Sequence, residues 1–204
     1  MKNFFDVKGA QPQDIYKLMT GLIGPRPIGW ISTVSEKGVP NLAPYSFFNL
    51  FSNNPPVLGF SASLNRSGRR KDSLINVEAT KSFTHNVVTR ELAEKMNATS
   101  EELPHGVNEF ERVGLTAIPS TYIAAPRVKE AVASVECRLH SIVSFGDQPG
   151  NGNLVLGEVV AIHINDLSLL DDKGIVFSER LALIARLGRT DYCGVGEIFS
   201  LSRP

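Results

Sequence analysis

Apolar and polar residues alternate along the longest segments of this chain. Over residues 132–145, Val135, Cys137, Leu139, Val143 and Phe145 take turns with Ser134, Glu136, Arg138, His140 and Ser144, the period of two that marks a strand. One face of that strand is expected to meet a core and the other to meet water. Residues 146–153, rich in Gly, Asn, Asp and Pro, read as a loop, and a second strand follows over 154–164, so a long antiparallel pair is predicted. Residues 28–34 and 39–43 flank the turn Glu36-Lys37-Gly38 and predict a hairpin, while 57–61 and 82–88 predict two shorter strands. Helices are few. Residues 14–21 place Ile15, Leu18, Met19 and Leu22 on one stripe behind Asp14 as a cap, and 72–79, 89–97 and 178–187 repeat the form behind an Asp, Thr or Ser, the last closed by Gly188. Strands in hairpin order with helices between them predict a mainly β antiparallel barrel or sandwich decorated by helices, not an alternating parallel sheet.

Composition narrows the classes. The chain has 204 residues, 42% hydrophobic and 21% charged, without an internal repeat or a long linker, which fits one domain over residues 1–204. Its 21 basic and 21 acidic side chains cancel, which argues against a nucleic-acid backbone as the main partner. Cys137 and Cys193 are the only cysteines and form no CxxC, so a disulfide scaffold or a cysteine zinc site has no support and a reduced cytoplasmic compartment is the expectation. The start, Met1-Lys2-Asn3-Phe4-Phe5-Asp6, shows no signal peptide. The longest uncharged stretch, 38–65, is broken by Pro40, Pro44, Pro55 and Pro56, so no membrane helix is expected.

The chemistry is quieter. There is no GxGxxG or GxxxxGK[ST] loop, the run Gly59-Phe60-Ser61-Ala62-Ser63 lacks the final Gly of a nucleophile elbow, and the four His are scattered without metal-ligand spacing. The informative block is residues 30–73. An uncharged, aromatic segment over 41–49 precedes the small-residue run Ser61-Ala62-Ser63, and then Arg66, Arg69, Arg70 and Lys71 lead into a helix start at Asp72-Ser73. Cations beside free backbone N–H groups at a helix start suit a phosphate. The block would suit a planar, hydrogen-bonding, phosphorylated ligand, though the same cations also read as a solvated loop and Phe47, Phe48 and Phe51 as core.

The motifs themselves are more specific. Pro25-Arg26-Pro27-Ile28-Gly29-Trp30-Ile31-Ser32-Thr33-Val34, Asn41-Leu42-Ala43-Pro44-Tyr45-Ser46-Phe47-Phe48-Asn49, Pro55-Pro56 and Lys71-Asp72-Ser73 are followed in order by Gly114-Leu115-Thr116, Pro126-Arg127-Val128, Glu136-Cys137-Arg138-Leu139, Gly157-Glu158-Val159-Val160 and Arg186-Leu187-Gly188 with Tyr192. From about Tyr16 onward the chain resembles the flavin reductase-like family of FMN-binding split barrels, which includes reductase components of two-component monooxygenases and flavoredoxins. The resemblance implies a six-stranded antiparallel Greek-key split barrel, a homodimer and one FMN per protomer near the dimer interface. It implies Ser32 and Thr33 along the flavin's polar edge, and Ser46, Phe47, Phe48 and Asn49 against the ring and ribityl chain. Ser61, Ala62 and Ser63 would line the path to the phosphate, with Arg69, Lys71 and Asp72 closing that end and Arg189 and Tyr192 reaching in from the C-terminal segment. At His85 many relatives carry an apolar residue, so its side chain is expected to face either the cofactor or an interface. The implied activity is an FMN-dependent NAD(P)H:flavin oxidoreductase, using NADH or NADPH and serving a partner monooxygenase or another acceptor. The alternative is a flavoredoxin-like electron carrier without NAD(P)H turnover. Flavin carries the redox chemistry in such proteins, so no catalytic side chain and no metal is expected.

Overall fold

The computed structural model describes residues 3–202. In chain order the elements are α1 (Pro12–Leu22), β1 (Arg26–Pro27), β2 (Gly29–Val34), β3 (Pro40–Tyr45), β4 (Phe48–Asn53), β5 (Pro56–Ser61), α2 (Asp72–Thr80), β6 (Ser82–Asn86), α3 (Ala93–Ala98), α4 (Glu109–Arg112), β7 (Ala117–Ile118), β8 (Arg127–Val128), β9 (Ala133–Ser144), β10 (Asn153–Ile164), β11 (Ile184–Arg186) and β12 (Tyr192–Gly194). The alternating segments pair as expected. β9 and β10 run antiparallel, and the main sheet has the order β3-β2-β6-β9-β10-β5-β4 with every neighbour antiparallel. It carries seven strands, β4 being an edge strand that the alternation did not announce. No helix among the described residues is long and apolar enough to cross a membrane.

The register across β2, β6 and β9 sorts the two faces. Ile31, His85 and Val135 stand in one row and Ser32, Thr84 and Glu136 in the next, so adjacent rows point to opposite sides. On one side Ile31, Phe83 and Cys137 pack with Phe60, Val155 and, from α2, Leu74 and Val77. Gly157 makes room there, since a Cβ on it would lie 2.6 Å from Phe83 Cζ and 2.9 Å from Cys137 Cβ. A second core gathers Trp30, Leu42, Met96, Phe110 and Val128, and the indole N–H of Trp30 donates to Thr99 Oγ1 at 3.0 Å.

The other side of the sheet corrects an expectation. Ser134 and Glu136, on the face assigned to water, are fully buried, as are Ser32, Thr84 and Asn86 beside them. The chain between β7 and β8 lies across this face and presents backbone groups to it. Ser32 and Thr84 hydroxyls donate to the carbonyls of Pro126 and Ala125, Asn86 Oδ1 accepts from Val128 N, and Glu136 accepts from Thr121 N at 2.6 Å and Tyr122 N at 2.8 Å. Buried polar side chains are stable here because each has a partner. Polar alternation therefore reported a polar ceiling and not solvent.

The C-terminal region departs further. The helix expected over 178–187 is reduced to a single 3-10 turn at Ser178–Arg180, Ala182 has φ 45°, and Ile184–Arg186 becomes β11, paired with β1 and β12. Tertiary pairing overrides the helical spacing. The helix expected over 89–97 likewise divides into a 3-10 turn at Arg90–Leu92 and α3. α1 begins earlier than expected, with Gln11 at its cap and Asp14 in its first turn.

Candidate functional site

Two concavities adjoin along β3. The larger, of about 1080 Å³, lies between α1, the β3–β4 corner at Pro44 and Ser46, α3, and the C-terminal segment Arg186 to Tyr192. The smaller, of about 200 Å³, lies between β3, the chain Arg69 to Ser73 that opens α2, and the segment from Thr99 to Leu103. Pro44 and Ser100 line both, so the two form one groove.

The small end is built around the start of α2. Lys71 is its cap residue and no side chain caps the helix; Leu74 N turns back to the Lys71 carbonyl at 3.0 Å, which leaves the N–H groups of Asp72 and Ser73 uncapped. A buried network holds that helix start against the sheet: Asn41 Nδ2 donates to Ser73 Oγ at 2.9 Å and to Thr33 Oγ1 at 3.3 Å, and Asn76 Nδ2 donates to Thr33 Oγ1 at 3.0 Å. Arg69, Arg70 and Lys71 supply positive charge, and Asp72, Glu101, Glu102 and Glu109 oppose it. Arg70 pairs with Glu78, and Lys71 Nζ lies 3.6 Å from Glu102 Oε1. Asp72 is held by His105 Nδ1 at 2.9 Å and accepts from Gly106 N at 3.4 Å. Arg69 makes no ion pair among the described residues. Glu109 accepts from Leu42 N at 2.9 Å, and burial pushes its pKa above the ordinary carboxylate value, with the Asp72 charge adding to the shift. Tyr45 is buried with no hydrogen bond to its hydroxyl, and burial pushes its pKa up to about 12.

The wide end has the opposite balance. Lys17, Arg26, Arg186 and Arg189 line it against the single acid Asp191. Arg26 is only 7% exposed, and its guanidinium donates to the carbonyls of Thr20 at 2.6 Å, Ile23 at 2.5 Å and Leu187 at 2.9 Å. It thus caps the C-terminal end of α1 and ties it to the C-terminal segment, a placement the helix dipole favours. Arg186 stacks over the Tyr192 ring with 4.5 Å from Cζ to the centroid, and Tyr192 Oη donates to Asn97 Oδ1 at 3.2 Å.

The expected site residues divide by place. Ser46, Arg189 and Tyr192 line the wide end, and Arg69, Lys71 and Asp72 line the small end. Ser32 and Thr33 leave opposite faces of β2 and are fully buried, the first under the 119–128 chain and the second under α2, so neither side chain lines the groove. Phe47 is half exposed with its ring 6.4 Å from that of Tyr16 on the groove wall. Phe48 stacks on His85 at 4.5 Å between centroids, and the exposed Asn49 turns to its neighbour's N–H. Ser61 ends β5 and Ala62 and Ser63 follow it, Ala62 exchanging backbone hydrogen bonds with Asn153; none of the three lines either end of the groove, which the chain reaches at Asn65. His85 is buried in the sheet, its Nδ1 has no partner, and burial lowers its pKa from 6.5 to about 4. The groove also holds residues that the sequence did not single out: Arg26, Tyr45, Glu102, Glu109 and Arg186. Arg26 carried a signal, as the one charge between Ile23 and Val34 and set between two prolines.

Comparison with known proteins places this chain in a family. The flavin reductase like domain matches residues 23–178. The chain belongs to that family. Nitrilotriacetate monooxygenase component B of Bacillus cereus is similar to it over 98% of this chain and 99% of that one, with 34% identity and a TM-score of 0.92. A 2-nitrobenzoate 2-nitroreductase of Pseudomonas fluorescens is 30% identical, covers 99% of this chain and 96% of its own, and has a TM-score of 0.88. A split barrel domain protein from Shewanella frigidimarina, 22% identical, covers 100% of both chains with a TM-score of 0.84, which fixes the fold. This member of the flavin reductase like family is therefore a mainly β, split-barrel protein with a flavin-related oxidoreductase role.

Proposed function

We propose that the groove binds FMN, phosphate at the start of α2 and ring in the wide end, and that the protein is an NAD(P)H:flavin oxidoreductase. The observation that carries this reading is the small end itself. An uncapped helix start with Arg69 and Lys71 makes one pocket suited to a phosphate. Bound flavin would supply the redox chemistry, taking a hydride from a nicotinamide and handing electrons onward. Residues of this chain would hold and orient the two partners. Pro44 and Ser46 would border the ring, and Tyr16 and Tyr192 offer flat walls. The excess of Lys17, Arg26, Arg186 and Arg189 over Asp191 favours a second ligand that is an anion, as a nicotinamide dinucleotide is. Reduced flavin passed to a partner monooxygenase fits the component B likeness.

Lys71→Ala is expected to weaken FMN binding at least tenfold in a fluorescence titration while leaving the fold intact; unchanged affinity would remove Lys71 from the site. Addition of NADH and then NADPH to the FMN-loaded protein under anaerobic conditions tests the activity. Bleaching of the flavin bands within turnover time supports the reductase and names the donor. Bands that persist would instead support the electron carrier.

A second copy of the chain completes this proposal. Tyr16, Met19 and Leu22 on α1 and Ile23 just after it, with Phe47, Leu50 and Phe51 around β4, are exposed apolar residues, Tyr16 also lining the groove. A patch of this kind is characteristic of an interface. Sedimentation at micromolar concentration is expected to give a dimer, and a monomer would contradict this part of the reading.

A further inference from the structure

We propose that Glu102, on the segment between α3 and α4, is a positioning residue that competes with the flavin phosphate for Lys71 and keeps the flavin exchangeable. The inference rests on the reading of the groove as an FMN site. Its ground is the way the small pocket's charges are committed. Arg70, just ahead of α2, is held by Glu78 of that helix, whereas Lys71 is held by Glu102 from the segment that walls the pocket on its other side. That segment is anchored again at Asp72, which takes His105 Nδ1 and Gly106 N. It therefore reaches across the start of α2 as a strap, with a carboxylate on the cation that a phosphate would need.

A phosphate set beside Lys71 and the α2 N–H groups would meet the Glu102 carboxylate across the same ammonium group. Two anions on one cation repel, so a Lys71–phosphate pair forms at the expense of the Lys71–Glu102 pair. Lys71 is 38% exposed and Glu102 64% exposed, which makes the exchange easy: the carboxylate turns to water and leaves no buried charge behind. Flavin affinity is then a difference between two ion pairs. A flavin without a phosphate leaves the pair undisturbed. Glu101, next in the chain and lining the same pocket, supplies an internal control, because Arg112 holds its carboxylate from two nitrogens at 2.7 Å and 3.1 Å.

The test is a set of equilibrium titrations of the full chain with FMN and with riboflavin, for the native sequence, Glu102→Gln, Glu101→Gln and Lys71→Ala. Glu102→Gln is expected to tighten FMN about two- to fivefold, and to slow FMN dissociation, with riboflavin affinity unchanged and Glu101→Gln of smaller effect. Equal tightening of FMN and riboflavin would overturn the competition, since the strap would then be acting on access. Equal effects of Glu101→Gln and Glu102→Gln would overturn the specific pair in favour of net charge. FMN affinity unchanged in Glu102→Gln but lost in Lys71→Ala would sink the role of Glu102 and leave the site standing. FMN affinity unchanged in Lys71→Ala as well would remove the site and this inference together.

Discussion

Replacing Glu136 with Ala is expected to cost about 3–5 kcal/mol of stability, the range for breaking a buried charged pair from one side. Glu136 is fully buried on β9, and its carboxylate receives three donors, Thr121 N, Tyr122 N and His163 Nε2, the last at 2.6 Å. Burial pulls its pKa upward, but the two backbone N–H groups and His163 outweigh that and hold it below the ordinary carboxylate value. Truncation leaves all three donors without an acceptor and releases the 119–125 chain from the sheet. Glu136→Gln keeps an acceptor in place and should cost only about 1–2 kcal/mol. Because the folded-state pKa is depressed, the contribution of this carboxylate is full above its unfolded value of about 4.5 and is lost as the pH falls through the lower folded value. Urea unfolding of the two variants at pH 7 decides the matter: a loss under 1 kcal/mol for the Ala variant would mean that the clasp does not hold that chain.

His85 is expected to make the protein sensitive to mild acid. Its ring is stacked under Phe48 with Nδ1 unpartnered, and burial lowers its pKa from 6.5 to about 4. An unfolded chain would take up the proton near pH 6.5, whereas the folded one resists it until about pH 4, so acid favours unfolding across that window. Between pH 7 and pH 5 the loss from this one residue is about 2 kcal/mol by linkage. His85→Leu removes the titration. Its stability should change little at pH 7 and should fall less than that of the native chain by about 2 kcal/mol at pH 5, measured by denaturant unfolding at both pH values. Parallel pH profiles for the two proteins would show that His85 is solvated or finds a partner.

These two residues also mark where the sequence was legible and where it was not. Alternation located β9, β10 and the β2–β3 hairpin closely, because a period of two survives any packing arrangement. The fate of the polar row was hidden. Ser32, Thr84, Asn86, Ser134 and Glu136 look like a solvent face in one dimension, and only the path of the 119–128 chain turns them into a buried, paired layer. His85 stood out as a departure from an apolar position, and it faces the core with Ile31 and Val135 in its row. At the groove, the cations before α2 were legible as an anion site because their spacing is local. Apart from the adjacent Asp72, the acids that oppose them, Glu101, Glu102 and Glu109, come from a segment about thirty residues on, a juxtaposition made by the fold alone. β11 was missed for a related reason: its apolar spacing matched a helix, and its strand character comes from pairing with β1 and β12.

The central claim is that one end of the groove reads a phosphate and the other a planar ring. The direct test is a paired titration of the native protein with FMN and riboflavin, followed by flavin fluorescence at fixed ionic strength. The account predicts saturable binding of FMN at one per chain, with riboflavin at least tenfold weaker because it brings no phosphate to Arg69, Lys71 and the α2 N–H groups. Equal affinities for the two flavins, or no saturable binding of either, would contradict it.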